Sequence, residues 1–429
     1  MERILKNRQI FYGWWIVAVS FLVLFVHAGC AFYSFAILRD VLEEELATSS
    51  AAISGAVSIY MVVLGLTAPL AGKLTDKYGP KSVVMAGGVI GGVAFLLLSS
   101  ITAVWQLYAL YFVVGIGMSG AGLIPLAVAL SNWFTRRRGT AIGIATAGIA
   151  LGAITLAPLT DFVVEAASWR AAYVVLGVIT LVCVVPPVMF IMRTKPQDMG
   201  LLPDGERPVA VEAGAAAELA TSPAEESAGA DEPRWTTSTA IRTMPYWLAL
   251  AAFFLVGMAI AGVLQHEKQF FEDVGIATST AALAVGLTGG MGGVGKLTFG
   301  FLADRISAKR AALLCFALQI VGLVILLNTE SVAMMWVSIV VFGFAMGGNV
   351  ALQPLIVGDF FGLASFGTIL GSIVLVAAVG AGMGPLLAGA MYDAFGSYTL
   401  AFTIFVVGYA VAVTALILAR RPKLKATAP

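Results

Sequence analysis

The sequence predicts an all-α membrane protein of twelve transmembrane helices in two six-helix, pseudo-symmetric bundles. Three observations carry this. Of 429 residues, 60% are hydrophobic and only 11% charged, whereas a soluble domain carries about a quarter charged residues. Twelve stretches approach or exceed the roughly 20 mostly apolar residues a helix needs to cross a bilayer. They lie near 14–37, 52–72, 82–101, 106–130, 139–161, 171–192, 245–265, 281–300, 310–328, 333–357, 367–389 and 398–419. Finally, Gly72-Lys-Leu-Thr-Asp76-Lys77-Tyr-Gly79-Pro-Lys81 recurs 228 positions later as Gly300-Phe-Leu-Ala-Asp304-Arg305-Ile-Ser-Ala-Lys309. The same offset relates Gly139-Thr140 and Gly143 to Gly367-Thr368 and Gly371, and an offset of 230 relates Ala47-Thr-Ser-Ser to Ala277-Thr-Ser-Thr.

Each span must satisfy its own backbone hydrogen bonds in lipid, which a helix does. Six spans precede a polar stretch and six follow it. The chain thus divides into an N-terminal bundle (1–193), a linker (194–244) and a C-terminal bundle (245–429). A repeat this long marks two related halves, and halves built of apolar spans imply a transporter with its site between them. Lys and Arg set the orientation. Twenty-one lie in the termini and in the loops at 73–81, 136–138, 193–242 and 305–310, while the opposite loops hold only Arg39, Arg170 and Lys268. The positive-inside rule therefore predicts cytoplasmic termini, in an inner (plasma) membrane. These basic clusters sit where topology accounts for them, so nucleic acid is not an expected partner. The first apolar run is too long for a cleavable signal and lacks a small-residue cleavage site.

Within the linker, 208–233 holds six acidic residues, no Lys or Arg, and much Ala, Gly and Pro, the composition of a flexible tether. Residues 234–243, with Arg234, Trp235 and Arg242, suit a short helix on the membrane surface. Cys30, Cys183 and Cys315 fall in separate spans and read as small apolar residues. No loop carries a catalytic constellation, a Walker motif or metal-ligand spacing. The expectation is a monomeric transporter in contact with membrane lipid, not an enzyme, without cofactor or metal, and driven by gradients.

Asp76 ends a span, where it can accept from backbone N–H groups and pair with a cation. Arg136, Arg137 and Arg138 open the fifth span on the same face. A gating latch between this cluster and Asp76, with Lys77 and Lys81 beside it, is expected. The second copy has Asp304 and Arg305, but the loop before the eleventh span, Asp359-Phe-Phe-Gly-Leu-Ala-Ser-Phe, offers no base. A weaker role is expected there. The plainer reading of both copies is charge that sets topology.

The repeated segment resembles the signature of the major facilitator superfamily between helices 2 and 3 and its echo between helices 8 and 9. Two further stretches narrow the resemblance: Tyr12-Gly13-Trp14-Trp15, and Trp133-Phe134-Thr-Arg136-Arg-Arg138-Gly-Thr-Ala141-Ile-Gly143-Ile-Ala145-Thr-Ala147-Gly148. Together they resemble the paired signatures of the monocarboxylate transporters and their bacterial relatives, which include oxalate–formate exchangers. Asp198-Met-Gly200-Leu-Leu-Pro203-Asp204-Gly205 is also similar to bacterial members. Plainer roles coexist: Trp14 and Trp15 suit an interfacial anchor, and Gly143, Ala147 and Gly148 allow close helix packing.

Lys296 is the one basic residue inside a span. A charge at membrane depth costs roughly 2.5–3.5 kcal/mol on insertion scales, which makes it a candidate site residue; the alternative is a side chain that snorkels to the nearby face. The resemblance implies that this slot of helix 8 holds an Arg that binds the substrate carboxylate. Lys lacks that planar fork. His266, at the end of helix 7, matches a slot where bacterial relatives carry a cavity-facing His that can take up a proton; Glu267 and Lys268 beside it suggest an outer loop instead. His27, Tyr33 and Ser34 in helix 1, and Asn349 and Gln353 in helix 10, are further candidates to meet substrate. Tyr108 and Tyr111 read as interfacial anchors. The sequence departs from the resembled pattern in three places. The Asp that mammalian members carry one turn before the helix 8 cation is Gly292, their helix 1 Lys corresponds roughly to Ser34, and 367–389 has no charge. A single intramembrane cation favours a monoanion. The reading is proton-coupled transport of a small organic anion, a monocarboxylate, by alternating access. The alternatives are a permease or antiporter for another solute (a drug, a neutral metabolite or an exchanged anion) and, behind these, a transporter-like sensor without net flux, for which 194–244 is too short and linker-like.

Overall fold

The computed structural model describes residues 11–205 and 235–422. Its long helices are α1 (Gly13–Glu45), α2 (Ser50–Tyr78), α3 (Pro80–Leu98), α4 (Val104–Trp133), α5 (Arg138–Ala166), α6 (Trp169–Phe190), α7 (Met244–Asp273), α8 (Thr278–Ile306), α9 (Ala308–Leu327), α10 (Val332–Phe361), α11 (Phe366–Phe395) and α12 (Thr399–Leu418). Among the described residues there is no strand. Eleven of these helices are long and apolar enough to cross a membrane. The exception is α8, which has the length but is diluted by glycine, threonine and Lys296. Apolar side chains such as Leu66, Phe162 and Leu386 are 63%, 66% and 74% exposed, as lipid-facing helices require. Ser49, Ser168 and Ser331 cap α2, α6 and α10 by accepting from Ala52, Ala171 and Met334 N–H, satisfying donors that each helix start leaves open.

In the first bundle α1 packs on α5 and α6, α2 on α4, and α3 on α4 and α6. In the second α7 packs on α11 and α12, α8 on α10, and α9 on α10 and α12. The bundles meet through α2 against α11 and α5 against α8. The 228-residue offset reappears as geometry. Lys81 Nζ donates to the Met189 carbonyl at 2.7 Å, and Lys309 Nζ to the Ile417 carbonyl at 2.9 Å. Gly79 and Ser307, at equivalent turns, have φ of +81° and +99°.

Several helices differ from the sequence reading. A π-helical turn at Gly29–Tyr33 carries α1 on to Glu45. The break in α4 falls between Gly120 and Leu123. α7 continues to Asp273, so His266, Glu267 and Lys268 are helical rather than in an outer loop. Tyr111 is fully buried and its hydroxyl meets that of Tyr173 at 3.3 Å, while the Tyr108 hydroxyl donates to the Ala52 carbonyl at 2.7 Å. Both are bundle contacts rather than surface anchors. A short helix does form at Thr237–Ile241, with Trp235 edge-on to Phe361; the acidic stretch 208–233 lies outside the described residues.

Candidate functional site

The two seams between the bundles are closed over one half of their length only. On the side that carries the described chain ends, a Cβ on Gly72 would strike the Gly367 carbonyl, and one on Gly300 the Gly139 carbonyl. Further in, Gly371 approaches the Ala68 carbonyl and Gly143 the Lys296 carbonyl as closely. Further still the contact loosens and meets side chains instead of backbone: 3.2 Å from a Gly65 Cβ to the Ala378 Cβ, and 3.1 Å from a Gly293 Cβ to the Ala150 Cβ. Beyond that level the same stripes face open space, at Gly286, Gly289 and Gly290 on α8 and Gly382 on α11. Glycine lets backbones pack this tightly. The two bundles therefore part on the side away from the chain ends and close against each other on the other side.

The seal is tied by two equivalent carboxylates. Asp76 accepts from Gly367 N–H (2.9 Å), Thr368 N–H (2.8 Å) and the Thr368 hydroxyl (2.6 Å). Asp304 accepts from Gly139 N–H (2.7 Å), Thr140 N–H (2.7 Å) and the Thr140 hydroxyl (2.6 Å). Each crosses to the other bundle and caps the start of a helix, whose unpaired N–H groups and dipole favour an anion. This corrects the sequence reading twice. Asp76 is held by the start of α11, not by the Arg136–Arg138 cluster, and Asp304 has a complete set of partners without any base in its loop. In both a helix N-terminus supplies the hydrogen-bond donors, and Arg138 of the basic cluster lies near Asp304 and Asp359 instead of bonding Asp76. The flanking cations do other work: Lys77 lies over the Tyr78 ring and Arg305 over the Phe301 ring, both at 4.8 Å. Arg138 is half-buried, with its guanidinium beside Gly358 of α10.

The loop between α4 and α5 is pinned from outside. Asp204 accepts from Thr135 N–H (2.9 Å), Arg136 N–H (2.7 Å) and Arg137 N–H (3.4 Å). Trp133 Nε1 donates to the Arg193 carbonyl at 2.9 Å, and the Tyr12 hydroxyl to the Ile191 carbonyl at 2.7 Å. Phe11, Tyr12 and Trp14 pack on Trp133 and Phe134. The three stretches that carry the resemblance thus form one cluster. Asp204, which the sequence reading quoted but gave no role, is its capping residue.

Lys296 sits where the α5–α8 seam closes. It is 8% exposed, and among the described residues no ion pair or hydrogen bond holds it. α8 and α10 run parallel, with Gly343 against Thr288 and Gly347 against Gly292. One turn further, this register brings Lys296 level with Ala351, between Asn349 and Gln353. Asn349 is half-buried with an unpartnered Oδ1, and Gln353 is buried. Tyr33, 37% exposed, ends the π turn of α1. His27 is half-buried beside Gly122 at the α4 break, and its Nδ1 has no partner.

Two candidates are engaged elsewhere. Ser34 is fully buried and bonded to the Leu156 carbonyl and the Thr160 hydroxyl of α5. His266 uses both ring nitrogens, Nδ1 with the Tyr398 hydroxyl and Nε2 with the Pro385 carbonyl, each at 3.1 Å. A carbonyl only accepts, so Nε2 carries the hydrogen. The buried titratable group here is its neighbour Glu267, which helical periodicity turns to a different face. Among the described residues, no group of His, Cys, Asp and Glu could hold a metal ion.

The sequence model of the Major Facilitator Superfamily matches twice, over residues 19–271 and 267–429. Monocarboxylate transporter 12-B of Danio rerio is 29% identical over 82% of this chain and 75% of its own length. The oxalate:formate antiporter of Oxalobacter formigenes is 24% identical over 87% of this chain and 85% of its own. Among solved structures, the transporter FucP in its outward conformation superposes with a TM-score of 0.70 at 14% identity, covering 95% of this chain and 99% of that one. The proton:xylose symporter XylE gives the same TM-score and identity over 95% and 96%.

Proposed function

The chain belongs to the major facilitator superfamily, and from that premise we propose that it carries a small organic anion, a monocarboxylate, together with a proton across the inner membrane by alternating access. The observation that carries the reading is Lys296, a buried, unpaired cation at the level where the parted side of the α5–α8 seam gives way to the closed side. The names of the two relatives, both carriers of carboxylates, support it. The excess of Lys and Arg on the sealed side makes that side cytoplasmic, so the parted side faces outward.

Lys296 is a compact point charge suited to one carboxylate, with Asn349, Gln353, Tyr33 and His27 as the polar wall. Closing the outer half over a bare ammonium would bury an unpaired charge. A bound carboxylate removes that cost, so substrate favours the occluded state. Opening the inner half then requires both seams to part and both aspartates to release their helix starts.

Uptake of labelled two- to four-carbon monocarboxylates and of oxalate into proteoliposomes, with and without an inward proton gradient, tests this. Monocarboxylate uptake that rises as external pH falls is the expected result. The name of the Oxalobacter relative supplies a second reading, exchange of one anion for another. Uptake that needs an internal anion and ignores the proton gradient would establish exchange instead.

A further inference from the structure

We propose that Glu267 is the proton-carrying group of the cycle, a role that rests on the proton-coupled reading above. It lies in α7, is 0% exposed, and its Oε1 has no partner. Its single hydrogen bond is to the Thr288 hydroxyl of α8, at 3.4 Å from Oε2. That hydroxyl also lies 3.1 Å from the Ala284 carbonyl. A threonine has one hydroxyl hydrogen, and at 3.1 Å against 3.4 Å the Ala284 carbonyl has the better claim on it. A protonated Glu267 resolves the conflict: it donates to Thr288 Oγ1, and Thr288 donates to the Ala284 carbonyl. The geometry thus suits the acid form of Glu267.

The surroundings leave it no counter-charge. α8 contributes Thr288, and 278–295 holds no titratable residue. α10 has none between 332 and 358. From α11 and α12 the titratable groups are Tyr392, Asp393, Tyr398 at the start of α12, bonded to His266, and Tyr409, bonded to Gln319. On α7 itself Lys268 pairs with Glu272 at 3.5 Å. The next cation is Lys296, eight residues beyond Thr288, about 12 Å along α8 at 1.5 Å per residue. That spacing is too long for a direct pair, but both groups hang on one helix.

The charge count follows. The empty carrier holds an ammonium at Lys296 and a carboxylate at Glu267. The loaded carrier adds one anion at the first and one proton, taken from external water, at the second. The two sites sum to zero in either case, so neither reorientation carries net charge through the membrane field. Rocking would then deliver the proton from Glu267 to internal water.

Glu267→Gln, which mimics the acid form, is the test. In proteoliposomes with labelled pyruvate or lactate as probe, it is expected to lose uptake driven by a proton gradient by at least tenfold. Exchange of external for internal substrate should remain, because exchange never requires the proton to leave. Glu267→Asp should restore part of the driven uptake, and Thr288→Val should weaken it. Gradient-driven uptake by Glu267→Gln at the wild-type rate and pH profile would overturn the assignment. So would loss of exchange together with driven uptake in protein reconstituted at the wild-type level, since that marks a structural role. Absence of proton-driven uptake in the wild type would instead sink the functional reading beneath it.

Discussion

The α2–α11 seam and the α5–α8 seam are two copies of one device. Gly72 meets Gly367 as Gly300 meets Gly139, and Asp76 caps α11 as Asp304 caps α5. The Gly65–Ala378 contact answers Gly293–Ala150. At the next level the copies part. Gly371 packs on the backbone of Ala68, and Gly143 packs on the backbone of Lys296; the two positions are 228 apart, yet one carries a methyl and the other an ammonium. What is shared builds the gate, and what differs marks the chemistry. A hinge that closes symmetrically needs equal contacts on both sides, whereas binding one monoanion needs one charge.

The most disruptive way to break the equivalence is to wedge one seam. Gly72→Leu or Gly300→Leu puts a side chain where a backbone carbonyl already lies. Either should abolish transport and leave the inner side accessible to thiol reagents, measured at single cysteines placed beside it. A wedge in one seam that left accessibility unchanged would show that the seams close independently.

Next in size are the caps. Asp76→Asn and Asp304→Asn each weaken charge-assisted bonds worth about 1.5–3 kcal/mol apiece. An amide still accepts, so a shift of about 1.4 kcal/mol, roughly tenfold toward inward-open, is expected from each. The two effects should be equal within error. A much smaller effect at Asp304 would restore the view that basic residues hold the gate.

The smallest effect concerns the equivalent turns after α2 and α8. Ser307 adopts a φ of +99° where its counterpart is Gly79, a region that non-glycine residues occupy at a cost of order 1–3 kcal/mol. Ser307→Gly should raise the melting temperature in detergent, with a gain held to about 1 kcal/mol because the hydroxyl's bond to Arg310 N–H is lost. Gly79→Ser should lower it.

Much of this was legible in the sequence. Composition and run length gave the twelve spans, and the repeat gave the two bundles, because both follow from local chemistry. The repeat also contained Gly139-Thr140 and Gly367-Thr368, but repetition does not say which copy meets which. Only the three-dimensional two-fold reveals that Asp76 faces the second copy and Asp304 the first. Arginines beside an aspartate suggested a salt bridge, since side-chain charge is visible in a sequence and free backbone N–H groups are not. His266 looked functional for its type, yet its ring is spent on Tyr398 and Pro385. Glu267 looked like a loop residue because it stands beside Lys268 in a charged pair. Those charges ride the last turns of α7, and the inward-turned Glu267 could have been separated from them only by the 3.6-residue period.

The central claim is that the break in symmetry at Lys296 is the anion site. Uptake of labelled monocarboxylate by Lys296→Gln, at wild-type membrane level and with the seams intact by cysteine accessibility, tests it most directly. Loss of uptake, with partial recovery in Lys296→Arg, is the expected result. Wild-type uptake and affinity in Lys296→Gln would contradict the account.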